Sequence, residues 1–296
     1  MQKYSIFNLI KNAFSNHENW DLAWKDPTPK KEYDVVIIGG GGHGLATAYY
    51  LAKEHNITNV AIIEKGWIGG GNVGRNTTII RSNYMHDDNA LFSEFGMDLW
   101  RRMSQDLNYN VMFSPRGIIN LAHSDAQMNT YARRGNSMRL NGIDAELLSR
   151  EQVKDIIPMA DFSENVRFPI FGGLMQPSAG TARHDAVAWG YARQADSMGV
   201  DIIQNCEVTG FDVSGGKIEG VRTSRGDIKV KKIGLCVAGS TNILADKLNM
   251  TLPVETHLLQ ACVSEPVKPV LDRVVTFGAG HFYISQSDKG EMVMGG

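Results

Sequence analysis

At 296 residues the chain is long enough for one large domain or two moderate ones. Its 43% hydrophobic and 21% charged residues are the proportions of a globular protein, and a net charge of −2 excludes a broad electrostatic pull toward nucleic acid or anionic membrane. No apolar stretch approaches the ~20 residues of a membrane-spanning helix, and Met1–Phe7 lacks the apolar core and small-residue cleavage site of a secretory signal.

Residues 1–32 form a polar N-terminal extension, punctuated by Pro27 and Pro29 and ending on Lys30-Lys31. Trp20 and Trp24 stand four apart, which suits either a short amphipathic helix or a solvated leader. The organising stretch follows. Tyr33–Ile38 is an apolar, β-branched run of strand length. It runs into Gly39-Gly40-Gly41-Gly42-His43-Gly44, then into small and apolar helix formers from Leu45 to Ala52. A second strand, Val60–Ile63, ends on Glu64.

The spacing G-x-G-x-x-G falls at Gly39, Gly41 and Gly44, with Gly42 and His43 between them. In such a loop the first glycine makes the strand-to-helix turn and the second lets backbone approach a pyrophosphate. The third lets the helix pack close to the sheet. Unpaired N–H groups at the helix start hold phosphate charge. Glu64, 20 residues past Gly44, is placed to accept from ribose hydroxyls. Strand, glycines, helix, second strand and acid in this order specify an adenine dinucleotide site.

A second glycine loop, Gly66–Arg75, leads into Thr77–Arg81. Two backbone-exposing loops so close suggest a planar ligand lying between them; a surface turn is the alternative. Residues 91–105 have helical spacing through Leu91, Phe92, Phe95, Leu99, Trp100 and Met103, expected to pack in the core. Val111–Leu121 reads as a strand pair around Pro115-Arg116-Gly117, and 125–140 and 149–156 read as helices, the second capped by Ser149. Gly172–Gly180 is a third glycine-bearing loop, feeding a helix whose first turn carries His184 and Asp185.

Strands follow at 200–203 and 206–210, then a meander, and Ile233–Ser240 repeats the strand-then-small-residue pattern that returns a chain to its first sheet. From His257 to Gly296 alternation implies an antiparallel sheet. Cys206, Cys236 and Cys262 are isolated and show no C-x-x-C spacing, so reduced thiols in a cytoplasmic setting are expected, with no disulfide frame and no metal site. The fold class is therefore α/β with an α+β second part. A Rossmann-like dinucleotide-binding domain at 33–90 and 171–245 is interleaved with an antiparallel-sheet second domain at 91–170 and 246–296, which the resemblance given below makes the FAD-binding and substrate domains.

Gly39–Tyr50, Gly70–Tyr84 and Arg183–Gly190 carry a family resemblance. The chain resembles the FAD-dependent amine oxidases related to D-amino acid oxidase, and among them the β subunits of heterotetrameric sarcosine oxidases. The resemblance implies non-covalent FAD at the first glycine loop and Glu64, with further contacts from Asn72, Thr77, Ile79 and the backbone of Val208. It also implies FMN attached covalently to His184 and lined by Val73. A neutral imidazole is nucleophilic near pH 7, which agrees with that role, although a histidine at a helix start also serves as a cap or core residue.

The implied substrate is sarcosine, with Arg81 gripping its carboxylate through two parallel hydrogen bonds and Tyr283 as a pocket wall. A surface salt bridge is the alternative for Arg81. The implied products are glycine, a one-carbon unit (formaldehyde or 5,10-methylenetetrahydrofolate) and hydrogen peroxide. The implied partners are α, γ and δ subunits, with NAD and tetrahydrofolate on the α subunit. Such proteins run roughly another quarter of their length beyond the position of Gly296, through a glycine-rich segment over the isoalloxazine ring and a substrate-site lysine. A fragment is therefore expected, and its independent activity stays open. The competing functions are a stand-alone FAD dehydrogenase of dimethylglycine or proline, and an inactive nucleotide-binding fragment.

Overall fold

The computed structural model describes residues 5–18, 20, 22–163, 165–278 and 280–296. Met1–Tyr4, in the N-terminal stretch considered for a secretory signal, lie outside the described residues. In chain order the elements begin with α1 (Ile6–Phe14), β1 (Glu32–Ile38), α2 (Gly42–His55), β2 (Val60–Ile63), β3 (Ile79–Ile80) and α3 (Asp87–Asp106). Next come β4 (Ile118–Ala122), α4 (Asp125–Leu140), β5 (Glu146–Ser149), α5 (Arg150–Ile156), β6 (Gly172–Gln176), β7 (Gly180–Thr181) and α6 (His184–Ser197). The chain ends with β8 (Asp201–Ile203), β9 (Val208–Ser214), β10 (Lys217–Thr223), β11 (Gly226–Leu235), α7 (Thr241–Asp246), β12 (Ala261–Val263), β13 (Val274–Phe277), β14 (Phe282–Gln286) and β15 (Met292–Gly295).

Two compact units result: residues 1–74, 105–110 and 184–256, and residues 75–104, 111–183 and 257–296. The first is built on a six-stranded sheet of order β8-β2-β1-β11-β10-β9. Four of its strands are parallel: β1 pairs with β2 (Ile37 opposite Ile62) and with β11 (Ile37 opposite Gly234), and β2 pairs with β8. The apolar runs at 35–38 and 60–63 suit a strand covered on both faces. Tyr33, Val36, Ile38, Ala61, Ile63, Ile203 and Val230 form its core, with α2 and α6 packed on each other.

The second unit is built on a seven-stranded sheet of order β12-β15-β14-β13-β4-β6-β5, with the short ribbon β3-β7 beside it. Side chains alternate between its faces. Ile119, Leu121, Leu148 and Val275 pack on one side with Val153 and Ile157 around α5. On the other, Leu174 packs with Ala90, Met138 and Ile143, bringing α3 and α4 over the sheet. Ser149 caps α5 with a capping box closed by Gln152, as its sequence requires.

The unit boundaries differ from those expected. Residues 75–90 and 171–183 belong with the second unit because β3 pairs with β7 and β6 lies inside the seven-stranded sheet. Residues 105–110 belong with the first, where the Leu107 and Asn108 carbonyls accept from Gln194 Nε2 at 2.7 Å and Arg193 Nη1 at 3.4 Å.

Other expectations are corrected too. Of the two readings of the N-terminal extension the helical one is absent at Trp20 and Trp24, and Trp20 is exposed; the helix there is α1, with a Ser5 cap. Val111 starts no strand; only a bridge from Ser114 to Thr181 precedes β4. The first half of the third glycine loop is β6, because Gly173 and Leu174 pair with both β4 and β5. On α3, Met103 is buried as expected, but Leu91, Phe92 and Phe95 are exposed, Phe92 by 80%, and the buried line is completed by Ala90 and Met97. Helical spacing identified the helix but not which face the sheet takes.

Leu174 joins α3 and α4 to the sheet and is fully buried. Leu174→Ala should lower the stability of the second unit by about 2–5 kcal/mol. Urea unfolding followed by circular dichroism measures this, and an unchanged midpoint would contradict the packing described.

Candidate active site

In the first unit, β1 ends at a loop whose backbone is nearly in contact with itself. Gly39 has φ +108°, a conformation open to glycine, and a Cβ there would overlap the Cys236 carbonyl oxygen. A Cβ on Gly44 would overlap the Gly39 carbonyl oxygen, so α2 starts against the strand it follows. Gly41 is the N-cap of α2 and supplies no side-chain cap. Only the Val73 side chain comes near it, at 3.8 Å from where a Cβ would stand. The first-turn N–H groups of Gly42, His43 and Gly44 have no intrahelical acceptor. The His43 side chain is exposed, so its contribution to this loop is its main chain.

Glu64, at the end of β2, closes the loop. Its Oε2 accepts from Gly40 N at 2.7 Å and its Oε1 from Gly66 N at 2.8 Å. One carboxylate thus ties the first glycine loop to the second, and each oxygen keeps a further lone pair for a ligand hydroxyl. Val208, at the start of β9, is buried in the core of this unit.

Asn72 and Val73 lie in a single 3-10 turn, Asn72–Arg75. A Cβ on Gly69 would stand 3.8 Å from Val73 Cγ1 and 3.4 Å from Ala188 Cβ. Ala188 is one helical turn beyond His184, the first residue of α6, so Val73 and the His184 face of α6 approach the same glycine. The His184 side chain is half-buried, and Asp185 Oδ1 accepts from Ala186 N in the same first turn.

Thr77, Ile79, Arg81 and Tyr283 belong to the second unit. Thr77 precedes Thr78, which holds φ +62° and donates its N–H to Asn76 Oδ1 at 2.7 Å. A β-branched residue in that region stores strain of about 1–3 kcal/mol. The Ile79 side chain packs on Ile118, Ala179 and Val274, so its main chain is what remains for a ligand.

Arg81 is held by two neighbours. Its Nη1 donates to Asn83 Oδ1 at 2.5 Å, and its guanidinium lies 4.8 Å from the centre of the Tyr84 ring. Asn83 is fully buried and donates through Nδ2 to Asn120 Oδ1 at 2.7 Å; Asn120 donates in turn to Thr276 Oγ1. Thr276 stands opposite Asn120 in β4 and opposite Tyr283 in β14. Residues directly opposite share a face, so Tyr283 lies on the face that carries this chain of hydrogen bonds. Gly295, opposite Tyr283 on the next strand, has no Cβ because one would overlap the Tyr283 hydroxyl.

Beside this row, Gln176 Oε1 accepts from Ser82 N at 3.0 Å and Gln176 Nε2 donates to Ser82 Oγ at 2.7 Å. The structure therefore links Arg81, through Asn83, Asn120 and Thr276, to the sheet face that carries Tyr283; these three linking residues were not singled out in the sequence. One signal existed: Asn120 interrupts the apolar run Ile118-Ile119-Asn120-Leu121-Ala122. The opposite face holds an apolar cavity of about 460 Å³, lined by Leu121, Phe168, Val275, Phe277 and Ile284, a poor match for a zwitterionic amino acid.

Residues 34–296 match the family described as FAD dependent oxidoreductase. The chain belongs to the FAD dependent oxidoreductase family. It is 60% identical over 294 residues to sarcosine oxidase subunit beta of Rhizobium meliloti (strain 1021), covering 99% of this chain and 70% of that relative. It is 52% identical over 278 residues to sarcosine oxidase subunit beta of Arthrobacter sp, covering 94% of this chain and 69% of the relative. Among solved structures, L-proline dehydrogenase from P. horikoshii superimposes with a TM-score of 0.83 at 26% identity, over 90% of this chain and 70% of that one.

The first unit fits the cofactor of the FAD dependent oxidoreductase family. An uncapped helix start suits a pyrophosphate, Gly41 leaves space for it, and Glu64 stands at the end of the adjacent strand. Gly44→Ala should yield protein that retains no FAD through gel filtration, because the new methyl group must displace the Gly39 carbonyl. Glu64→Gln should weaken FAD retention by about tenfold while keeping the fold, since an amide loses the charge on both glycine N–H bonds. The ratio of flavin to protein absorbance checks both, and full occupancy in Gly44→Ala would contradict the geometry.

Proposed function

We propose that this chain is the β subunit of a multi-subunit sarcosine oxidase, oxidising the N-methyl group of sarcosine to give glycine, a one-carbon unit and hydrogen peroxide. The observation that carries this reading is Arg81: a guanidinium fixed on a buried asparagine, in a chain 60% identical to a sarcosine oxidase β subunit. A guanidinium so held presents its remaining donors as a fork that matches a carboxylate. Arg81 would bind the sarcosine carboxylate, with Asn83 and Tyr84 fixing its plane and Tyr283 bounding the pocket on the same sheet face. Gly39, Gly41, Gly42, His43, Gly44 and Glu64 would hold the FAD diphosphate and ribose, with main-chain contacts from Asn72, Thr77, Ile79 and Val208.

His184 would carry FMN through a ring nitrogen, with Val73 lining that group near Gly69. When bound, FAD supplies the acceptor of a hydride equivalent from the substrate C–H, and FMN supplies the outlet to oxygen. The protein's own contribution is orientation: Arg81 fixes one end of the amino acid so that its N-methyl end has a defined place. Partner subunits of the α, γ and δ type would complete the assembly, with NAD and tetrahydrofolate on the α subunit. A cytoplasmic setting agrees with the unpaired Cys206, Cys236 and Cys262 and with the absence, among the described residues, of a helix long and apolar enough to cross a membrane. The 60% identity to a sarcosine oxidase subunit, against 26% to proline dehydrogenase, favours sarcosine over proline as substrate.

After acid precipitation of the holoprotein, flavin fluorescence should remain on the peptide that holds His184 and vanish from it in His184→Ala. Complete release of flavin from the unmodified protein would overturn the covalent assignment. Arg81→Lys should raise the KM for sarcosine by about tenfold or more, because an ammonium cannot reproduce the bidentate fork. An unchanged KM, measured by peroxide release, would remove Arg81 from the site.

A further inference from the structure

Arg134, on α4, belongs to no motif and to no set of residues assigned above. Its Nε donates to the Asn83 carbonyl oxygen at 2.5 Å, and its Nη2 donates to the same oxygen. Asn83 is therefore gripped at both ends, its side chain by Arg81 and its carbonyl by Arg134. The amide cannot turn over, because its Nδ2 is committed to Asn120 Oδ1 and Asn120 is committed to Thr276. A reversed amide would set one donor against the Arg81 donor.

Two guanidinium groups thus stand on either side of one buried residue. No ion pair found among the described residues includes Arg81 or Arg134. Their closeness shows in Arg134 itself: burial, and then the Arg81 charge, hold its proton affinity below the ordinary arginine range. Like charges that share a partly desolvated site without a counter-ion repel each other, and an anion relieves the repulsion. Both side chains are half-buried, so a small anion can reach them.

We propose that Arg134 is a positioning residue for the substrate carboxylate, fixing through Asn83 the group on which Arg81 rests and adding its charge to a two-arginine anion site. This inference rests on Arg81 as the carboxylate clamp proposed above. Arg134 grips the carbonyl rather than the substrate, so its loss acts on binding more than on turnover. The ligand chemistry is a small monocarboxylate.

The holoenzyme with its partner subunits is titrated with acetate, using the flavin absorption change to obtain Kd, and assayed for sarcosine KM and kcat by peroxide release. Arg134→Met should raise the acetate Kd and the sarcosine KM each by about tenfold, with kcat changed by less than about twofold. Arg134→Lys, which keeps the charge and loses the fork, should fall between Arg134→Met and the unmodified enzyme. An acetate Kd in Arg134→Met within about twofold of the unmodified value overturns the proposal. If acetate is lost in Arg81→Lys but not in Arg134→Met, the Arg134 inference fails and the clamp stands; if neither variant weakens acetate, the clamp fails as well. Should Arg134→Met not accumulate as holoprotein, Arg134→Lys decides alone, and an unchanged acetate Kd in it overturns the proposal.

Discussion

The Gly39 carbonyl oxygen occupies the space that a side chain at residue 44 would need. Much of the first unit follows from that one close approach. It places the first turn of α2 directly beyond β1, so the free N–H groups of Gly42–Gly44 open at the carboxyl ends of parallel strands. Gly39 N donates to Ile63 O at 2.8 Å and Cys236 N to Ile38 O at 2.8 Å, tying the loop to both neighbouring strand ends. With Glu64 holding Gly40 and Gly66, the two glycine loops stand as one wall. A loop tied to its scaffold at so many points has its shape before a ligand arrives, and preorganisation of this kind lowers the entropic cost of binding.

The second unit solves a different problem with the same economy of contacts. A sheet face in a domain core is ordinarily apolar, yet here one row runs Tyr283, Thr276 and Asn120, and Asn83 joins it from the segment after β3. Each buried amide has a partner, which is what keeps such a row tolerable inside a core. Apolar clusters pack beside the row, Ile118 with Val274 and Leu174 with Met138. Arg81 therefore rests on a rigid sheet face, through a residue that has nowhere else to turn.

What was legible in the sequence follows the range of the interactions. The strand, glycines, helix and acid of residues 33–64 lie in one continuous stretch at fixed spacing, and they read directly from it. The capping box at Ser149 and Gln152 reads for the same reason. The row beneath Arg81 does not, because its links join residues 37 and 156 positions apart in sequence. Nor does periodicity choose a face: α3 carries Phe92 and Phe95 outward, while Ala90 packs inward with Leu174 and Met138. The unit boundaries depended on pairing too, since the segment 75–90 follows the glycine loops in sequence and joins β6 and β7 only in three dimensions.

The arrangement around Asn83 also bears on why arginine, rather than lysine, stands at both positions. An ammonium at position 134 could approach the Asn83 carbonyl but would donate along one direction, leaving the peptide free to tilt; the Nε and Nη2 pair meets one oxygen from two directions and fixes the plane. At position 81 a guanidinium can give one donor to Asn83, lie against Tyr84, and still present further N–H groups outward. A lysine would spend its compact charge on the asparagine and have no planar face for the ring. Charge alone is therefore not what the pocket selects. The delocalised cation gives two positive groups that share a buried residue without either being neutralised by it, so a carboxylate bound as proposed above would bring the counter-charge.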